Sequence, residues 1–309
     1  MTSPAAARVP DVSVVIPAFN AARTLPEQLE CLARQEGAPA FEVVVSDNGS
    51  TDDTARVVAG WTDRLRIRLV DAGERRGAGF ARNVGVQAAA ADKVLFCDAD
   101  DLVSRSWVAV MAAALEPRTL VAGPVLRITP ETPAFGPVEE GLPYGNSDAD
   151  FRYMGFLPCV LSGSLGIHRA DFLALGGFDN SYAQGCEDVD FSWRAQLAGL
   201  TVGIAHGCAL FYRPRDGALA SFRAERGYTR TSILLWLRFR DQPGISGMSL
   251  SWSLRALLRT VVSVRPSVVR HPADRLRWAA AVGANLGSVQ GHLAYRVFGS
   301  PPPRDLLPS

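Results

Sequence analysis

The chain has 309 residues, of which 48% are hydrophobic and 20% charged, enough for one large folded domain, alone or with an appended segment. Its five cysteines are odd in number and include no C-x-x-C pair, which argues against a disulfide framework or a zinc site and indicates a reducing compartment. No run of about 18 apolar residues occurs, and the N-terminus lacks an apolar core, so we expect neither a membrane span nor a signal peptide, and a cytoplasmic location.

The formal net charge of +1 conceals an uneven distribution of charge. Residues 1–212 carry 17 basic and 26 acidic residues, a net of −9, whereas residues 213–309 carry 15 basic and 5 acidic residues, a net of +10. Such asymmetry between two parts of a chain indicates that the basic part meets an anionic partner. A partly apolar helix with arginines around Trp252 could lie on anionic lipid, or it could pack on the rest of the protein.

Strands and helices alternate through the first third of the chain. The apolar patterns predict strands at 12–16, 41–45, 65–70 and 93–97, with helices at 24–35, 51–59 and 79–90 between them. Repeated strand–helix units require crossover connections, which favour a mostly parallel sheet of the α/β class.

Beyond residue 104 the pattern is less regular. We predict a helix at 104–116, a strand at 120–128, a long surface loop at 130–150 and a second block of functional-looking residues at 163–216. Residues 217–299 are predicted to be mostly helical. The N-terminal residues 1–10 and the Pro-rich residues 300–309 are predicted to be flexible or disordered.

Acidic residues end the fourth predicted strand, where Asp98, Asp100 and Asp101 follow the apolar run 93–97. Unpaired carboxylates are costly in a core, so at a strand end they are exposed, paired or bound to a cation. The D-x-D spacing suits a hard divalent ion such as Mg²⁺ or Mn²⁺. The alternative is a turn that caps the helix beginning near Ser104.

Other strand ends also carry polar or aromatic candidates. Phe19 follows a strand that stops at Pro17, and Asp47 follows the second strand, where it could accept a hydrogen bond from a base or serve as a turn residue. Arg75, Arg76 and Arg82 surround a glycine-rich helix start that suits a diphosphate, although the glycine spacing is not that of a dinucleotide fingerprint. Acids in the first turn of a helix, as at 187–190, are favourable on structural grounds alone.

Five elements in this order resemble the family 2 glycosyltransferases, inverting enzymes with one nucleotide-sugar-binding α/β domain of the GT-A fold. The elements are 12–20, 46–53, 98–101, Gly176-Gly177-Phe178-Asp179 and Glu187-Asp188-x-Asp190. The resemblance covers roughly residues 11–215 and implies a nucleotide-binding half at about 11–101 and an acceptor half at about 102–215. A basic helical segment would follow at 216–299.

The resemblance also implies roles for single residues. Asp188 would be the general base that deprotonates the acceptor hydroxyl, and Asp98 and Asp100 would hold the metal. The expected substrate-binding residues are Pro17, Ala18, Phe19, Asn20, Asp47, Arg82, Asp98, Gly163, Glu187, Arg213 and Arg215. The implied donor is a nucleoside-diphosphate sugar, most often UDP-linked.

The chain departs from the family pattern in two places. Asn48 stands where relatives usually have a second aspartate. Residues 209–215 lack the histidine that completes the metal shell in many relatives. His206 lies earlier, in the turn expected after 201–205, and is expected to be a structural or surface histidine. Arg213 or Arg215 could instead supply positive charge to the leaving diphosphate.

The resulting prediction is a metal-dependent glycosyltransferase. We expect it to be non-processive, because nothing in the sequence resembles the Q-x-x-R-W element of processive synthases. Its acceptor would be a glycan, lipid-linked or small-molecule hydroxyl, in a pathway such as that of a cell-envelope polysaccharide in a bacterium. Alternatives are a catalytically weakened sugar-nucleotide-binding protein and a D-x-D phosphatase. No nucleic-acid readout motif occurs. Association with the inner face of the plasma membrane stays open.

Overall fold

The computed structural model describes residues 9–128, 142–145, 152–182, 184–213, 217–264 and 266–308. The predictions for residues 1–8, for most of the loop 130–150 and for Arg215 fall outside the described residues and stay predictions.

Eleven strands occur among the described residues. They are β1 Val12–Ala18, β2 Phe41–Asp47, β3 Ile67–Asp71, β4 Lys93–Cys97, β5 Leu102–Val103, β6 Thr119–Ala122, β7 Val125–Arg127, β8 Leu142–Gly145, β9 Ser164–His168, β10 Thr201–Ile204 and β11 Leu210–Tyr212. The predicted strand 120–128 is in fact two strands, β6 and β7, which belong to different sheets. Pro124 lies between them and has no N–H with which to continue a ladder.

Ten α-helices accompany these strands in the described part of the chain. They are α1 Leu25–Ala33, α2 Thr54–Ala59, α3 Ala78–Ala88, α4 Trp107–Ala114, α5 Arg169–Ala174, α6 Glu187–Leu197, α7 Ala218–Phe239, α8 Leu250–Val262, α9 Pro266–Arg270 and α10 Pro272–His292. A 3₁₀ turn at Tyr153–Gly155 and a π-helical turn at Leu293–Val297 complete the set.

The central sheet has seven strands in the order β10-β6-β9-β4-β1-β2-β3. Strands β3, β2, β1 and β4 are parallel to one another, β9 is antiparallel to both β4 and β6, and β10 is parallel to β6. The predicted mixed, mostly parallel sheet is therefore confirmed. A smaller sheet has the order β5-β11-β7-β8.

Both faces of the central sheet are buried. Along β1, Val14 and Ile16 point into a core shared with α1 and α4, whereas Val15 points into a second core shared with α3, α5 and α6. Side chains alternate along a strand, so a strand covered by helices on both faces is apolar throughout. This is why the predicted strands appear as short continuous apolar runs.

The C-terminal helices pack on this domain through α7. Leu234, Leu235 and Phe239 of α7 form a third core with Trp193 of α6, while Phe191 of α6 belongs to the second core. Helix α6 therefore lies between the central sheet and α7, and the C-terminal segment supports the helix that begins with Glu187.

Helices α7 and α10 are in close contact through small residues. A Cβ atom added to Gly283, Gly287 or Gly291 would lie 2.3, 2.2 or 2.7 Å from the backbone oxygen of Phe222, Arg226 or Arg230, respectively. The contacts advance by four residues along both helices in the same direction, so the two helices are parallel. Every fourth residue lies on one face of a helix, which allows the backbones to approach closely along it.

The end of the chain differs from its prediction. Residues 302–307 lie against the α/β domain and do not show the disorder that the Pro-rich composition predicted. Leu307 N–H donates to the carbonyl of Gly176 at 2.8 Å, and Asn180 N–H donates to the carbonyl of Asp305 at 2.8 Å. Specific contacts hold this segment despite its composition, among them that of Arg304 with Asp190 at 2.7 Å.

Candidate active site

The candidate site lies where parallel strands end at the same edge of the central sheet. Strands β1 and β2 are in register so that Ala18 faces Asp47, and β4 runs parallel to β1 on its other side. Residues that follow these strands therefore lie close together, at the carboxyl edge where ligands bind in open α/β sheets.

Phe19 forms an exposed aromatic surface at this edge. Its ring is 50% exposed, and the guanidinium carbon of Arg76 lies 4.3 Å from its centroid. Asn20 has a φ of +50°, donates its N–H to Ser50 Oγ at 2.9 Å and accepts the Thr51 N–H at 2.8 Å. A ring stacked on an arginine, with polar groups beside it, is suited to a planar base and its ribose.

Strand β1 continues through Pro17 and Ala18, contrary to the expectation that it stops at Pro17. Ala18 is 2% exposed, and its carbonyl accepts the N–H of Asn48 at 2.8 Å. Both residues are thus part of the sheet. Pro17 lies beyond Val15, the last residue of β1 that pairs with β4. Proline is tolerated there because it has no N–H to contribute to a ladder on that side.

Asp47 and Asn48 end the neighbouring strand. Asp47 accepts the N–H of Ser50 at 2.9 Å. Asn48 is buried, donates to the carbonyls of Ala72 and Arg75 at 2.7 Å each and accepts the Gly77 N–H at 2.8 Å. An amide can make these bonds because it is donor and acceptor at once, whereas an aspartate carboxylate could not donate. The Asn48 side chain, at the position where the sequence departs from the family pattern, therefore holds the loop that carries Arg75 and Arg76.

Arg82 joins the two acidic motifs. Its side chain is 4% exposed, its Nη2 lies 2.6 Å from Asp98 Oδ1, and its Nη1 lies 3.4 Å from Glu187 Oε1. Burial lowers the pKa of Arg82, but the charges of Asp98 and Glu187 outweigh this effect and raise its pKa. A buried guanidinium that serves two carboxylates holds the strand-end acids beside the start of α6.

The acidic pair at the start of α6 has unusual protonation behaviour. Burial and the neighbouring charge of Asp188 raise the pKa of Glu187 to about 7. Burial also raises the pKa of Asp188, although its oxygens accept the N–H groups of Ser162 at 3.2 Å and Val189 at 2.9 Å. Cys186, which precedes the helix, has a φ of +71°. Carboxyl groups with raised pKa values are suited to proton transfer.

The D-x-D motif follows β4. Asp98 has a side chain that is 31% exposed, and Asp100 is exposed. A Cβ atom added to Gly163 would lie 3.2 Å from Asp98 Oδ2, so a glycine at this position avoids a tight contact with that oxygen. Asp101 is buried and accepts the Arg213 N–H at 2.9 Å, and its burial raises its pKa well above the ordinary value.

The structure also places other residues that the sequence singled out. The Arg213 guanidinium pairs with Glu27 Oε2 at 2.6 Å, and His206 is an exposed residue in the turn between β10 and β11, in line with the expectation of a surface or structural histidine there. Asp190 is fully buried and accepts bonds from Tyr182, Arg194 and Arg304, so it faces away from Asp188. Within the described residues, no group of three or more His, Cys, Asp or Glu side chains is arranged to hold a metal.

Comparison with known families identifies the chain. Residues 13–175, more than half of it, match the family model described as glycosyl transferase family 2. The chain belongs to this family. The matched region of this family 2 glycosyltransferase begins in β1 and ends after α5, so α6 and its acidic pair lie beyond it.

Similar proteins include validoxylamine A glucosyltransferase of Streptomyces hygroscopicus subsp. limoneus, which is 34% identical over 233 residues, covering 65% of this chain and 51% of that protein. Succinoglycan biosynthesis protein ExoO of Rhizobium meliloti is 42% identical over 103 residues, covering 33% of this chain and 29% of that protein. The chain thus spans about half the length, or less, of these curated relatives.

Solved structures show the same fold. The S. aureus TarS fragment in complex with UDP-GlcNAc is 19% identical with a TM-score of 0.53, covering 91% of each chain. A mannosyltransferase from Pyrobaculum calidifontis, in complex with GDP-Man and Mn²⁺, is 20% identical with a TM-score of 0.56, covering 93% of this chain and 87% of that one. The predicted GT-A glycosyltransferase fold is confirmed, and the phosphatase alternative has no support.

Sequence reasoning missed residues that organise this glycosyltransferase. In the sequence Asn48 stands out only as a departure from the family pattern, and Arg304 falls within the segment predicted to be disordered. An amide at a strand end could have indicated the role of Asn48, because it satisfies donors and acceptors of a neighbouring loop together. No local signal marks Arg304, since its partners, Asp179 and Asp190, are more than 100 residues away.

Proposed function

We propose that this protein transfers a sugar, with inversion, from a UDP-linked donor to the hydroxyl of an acceptor. The observation that carries the proposal is the bridge from Asp98 through Arg82 to Glu187, which joins the donor-side and acceptor-side acids through one buried charge. The UDP nucleotide is supported by a solved neighbour of the same fold that binds UDP-GlcNAc.

Asp188 is proposed as the general base. In the reaction the acceptor O–H proton moves to a carboxylate oxygen of Asp188, and the acceptor oxygen forms a bond to the anomeric carbon. The bond from that carbon to the diphosphate oxygen breaks, and its electron pair leaves with the diphosphate. A general base works best when its pKa lies near the operating pH, and the raised pKa of Asp188 brings it closer to that value. Glu187 would hydrogen-bond the acceptor.

A divalent cation, Mg²⁺ or Mn²⁺, is proposed as cofactor. Asp98 has a partly exposed side chain beside Gly163, and Asp100 is exposed at the same strand end, so a hard cation could reach both carboxylates. This fits Mg²⁺, which is often bound by one or two carboxylates with the remaining ligands from water and substrate phosphates. Asp98 and Asp100 would hold the ion, which when bound offsets charge on the diphosphate.

Arginines are proposed to share that task. The side chains of Arg75 and Arg76 lie on the loop that Asn48 holds, and Arg76 already contacts Phe19. Arg213 pairs with Glu27 in a bond that is partly exposed, so a diphosphate could compete for this guanidinium. Arg215, outside the described residues, stays a second candidate.

Transfer of one sugar, without polymerisation, is proposed from the absence of a Q-x-x-R-W element. The acceptor would be a glycan, lipid-linked or small-molecule hydroxyl. Two relatives are named validoxylamine A glucosyltransferase and succinoglycan biosynthesis protein ExoO, which supports a small molecule or a polysaccharide as the acceptor. A bacterial envelope polysaccharide is proposed as one destination.

The test is a screen of nucleoside-diphosphate sugars for hydrolysis and transfer, with Mn²⁺ and with chelator. We expect a UDP-sugar to be turned over with Mn²⁺ and Asp100→Ala to abolish both the turnover and the metal dependence of UDP binding. Asp63→Asn, at an exposed position remote from the strand ends, is the control. Equal UDP affinity with Mn²⁺ and with chelator would exclude the metal. UDP binding without turnover of any UDP-sugar would favour the catalytically weakened alternative.

Association with an anionic membrane surface is proposed for α8. None of the described helices is both long and apolar enough to span a bilayer. Trp252, Leu258 and Val262 of α8 are 66%, 64% and 71% exposed, and Arg255 and Arg259 stand beside them, whereas residues 242–273 contain no acid. Apolar side chains flanked by arginines fit an anionic lipid surface. The unpaired cysteines are compatible with the inner face of the membrane.

A further inference from the structure

Arg304 connects two buried carboxylates. Its Nη1 lies 2.7 Å from Asp190 Oδ1 and 3.4 Å from Asp179 Oδ2, and both acids are fully buried. Asp179 precedes and Asp190 follows the segment 180–189, which carries the αL residue Cys186 and the acidic pair Glu187 and Asp188. Arg304 therefore contacts both ends of the segment that presents these acids. It does so beside Arg238, which lies 2.7 Å from Asp179 Oδ2, and Arg194, which lies 2.7 Å from Asp190 Oδ2.

Asp305 extends this contact toward the arginine loop. Its backbone N–H donates to Asp179 Oδ1 at 3.1 Å, and its carboxylate pairs with the Arg75 guanidinium. Arg75 also donates to the carbonyl of Asn180 at 3.1 Å, while its own carbonyl accepts a bond from Asn48. The same two-residue stretch of the chain end thus contacts both the acid segment and the loop that follows β3.

Two leucines fix the register of this chain end. A Cβ atom added to Gly176 would lie 3.0 Å from Leu306 Cβ, and one added to Gly177 would lie 2.9 Å from Leu307 Cδ1. Both glycines have positive φ values, of +75° and +63°. Leu307 is also packed against the second core. Apolar anchoring on one side and paired charges on the other distinguish this segment from a tail that merely lies on the surface.

We infer that residues 302–307 are a positioning strap, in which Arg304 sets the acid segment of α6 and Asp305 sets the Arg75 loop. The inference rests on the proposed function. Arg304 is a positioning residue, since it touches Asp190 and not the reacting atoms. A misplacement of about 1 Å at a reacting group can cost roughly 10²-fold in rate. A small shift of Asp188 after loss of the Arg304 contact would therefore be enough to lower the rate.

Arg304→Ala tests the first half of the strap. We expect kcat for donor hydrolysis to fall about 10- to 100-fold, with little change in KM, because the donor side of the site is intact. Arg304→Lys should recover part of the loss, since an ammonium can still pair with Asp190. Arg277→Ala, which removes an exposed arginine of the same C-terminal segment, should leave kcat unchanged.

Amide hydrogen exchange gives a readout that does not depend on chemistry. In Arg304→Ala the amides of residues 184–190 should exchange at least about tenfold faster, as expected for loss of a charge-assisted bond, while those of α10 stay protected. If wild type turns over no nucleotide sugar, the proposed function fails and the exchange experiment still decides the strap. Unchanged exchange and unchanged kcat, or uniformly faster exchange throughout the protein, would overturn the strap.

Asp305→Asn tests the second half. The pair with Arg75 is partly exposed, so we expect UDP to bind about threefold more weakly, in line with a pair of modest strength, and the amides of residues 72–77 to exchange faster. Tighter UDP binding in this variant would show that Asp305 competes with the diphosphate for Arg75 and would overturn the positioning role.

Discussion

At the scale of single residues, the centre of the site is a group of charges that is only partly satisfied. Arg82 Nε and Glu187 Oε2 are buried without a hydrogen-bond partner among the described residues. A buried polar atom left in this state costs about 1–3 kcal/mol. Such atoms need an explanation in a native protein. Because both are fully enclosed, a substrate group could pair with them only after the site rearranges on binding.

Asp188→Asn is the variant that isolates the proposed base. Asparagine keeps the shape of the side chain, but it has a single acceptor oxygen, so it retains the bond from Ser162 or the bond from Val189 and not both. It cannot take the acceptor proton. We expect UDP affinity to stay near the wild-type value and turnover to fall at least about 10²-fold, the usual scale for a general base. Calorimetry and steady-state kinetics measure the two quantities, with Asp63→Asn as control. Near-normal turnover of the Asp188→Asn variant would show that Asp188 is not the base and would favour Glu187 in that role.

Glu187 should make stability depend on pH. Because burial and the charge of Asp188 raise its pKa from 4.5 to about 7, the folded state holds a proton that the unfolded state releases. The resulting stabilisation is complete below the unfolded pKa and is lost as the pH rises through about 7.

Glu187→Gln removes this titration. Between about pH 5 and pH 8, the free energy of unfolding of the wild type should decrease relative to that of the variant, measured by urea unfolding without metal or nucleotide. Asp188 keeps a raised pKa, so the variant should retain part of the slope. Parallel pH profiles for the two proteins would contradict the assigned pKa.

At the scale of elements, the parallel contact between α7 and α10 depends on glycines at every fourth position. The backbone oxygens of Phe222, Arg226 and Arg230 occupy the space in which side chains would otherwise lie. Glycine weakens a helix by roughly 1 kcal/mol relative to alanine, so the close approach must compensate for that cost three times over.

Gly287→Ala should therefore destabilise the protein despite its better helix propensity. The new Cβ would lie 2.2 Å from the Arg226 oxygen, and overpacking of this kind costs about 1–3 kcal/mol. Gly247→Ala, at an exposed site where a Cβ meets no atom within 4 Å, is the control. Urea unfolding measures both. A stabilised Gly287→Ala variant would mean that the two helices are further apart than described.

At the scale of the whole molecule, the charge asymmetry has a structural counterpart. The acidic part of the chain forms the sheets and the site, whereas the basic part forms α7 to α10. Helix α7 is buried against the catalytic domain, and α10 packs on α7. Helix α8 contacts α10 through the pair Ser253–Ser288 and through Trp278, whose Nε1 donates to the Thr260 carbonyl, and its other side is exposed.

The exposed side of α8 should bind anionic vesicles. Each arginine near such a surface contributes on the order of 1 kcal/mol, screened beyond a Debye length of about 10 Å at moderate salt. We expect co-sedimentation with phosphatidylglycerol vesicles, but not with phosphatidylcholine vesicles, and weaker binding as salt rises.

Matched variants separate the two contributions to this binding. Leu258→Ser should weaken it through lost apolar contact, and Arg255→Gln with Arg259→Gln should remove its salt dependence. Leu197→Ser removes an apolar side chain that is 52% exposed on the catalytic domain, and it should have no effect. Equal binding to both kinds of vesicle, or none at low salt, would show that α8 does not bind anionic lipid.

Local sequence determined much of the fold. The strands that end at Ala18, Asp47 and Cys97 were predictable because they are short apolar runs followed by polar residues, and burial on both faces requires such runs. The order of motifs also predicted the family. The split between β6 and β7 was not predicted, because which strand joins which sheet depends on partners that are distant in the sequence.

The tertiary structure alone decided how the site is held together. Sequence identified Arg82, Asp98 and Glu187 as candidates, but their joint bridge arises only because the sheet edge brings together positions 105 residues apart. From the sequence alone, Asp190 could not be assigned to the interior, nor Arg304 to an ordered segment. Hydrogen bonds and ion pairs act over a few ångströms in space and carry no signature in local composition, so a Pro-rich tail with one well-matched arginine is indistinguishable in sequence from a disordered one.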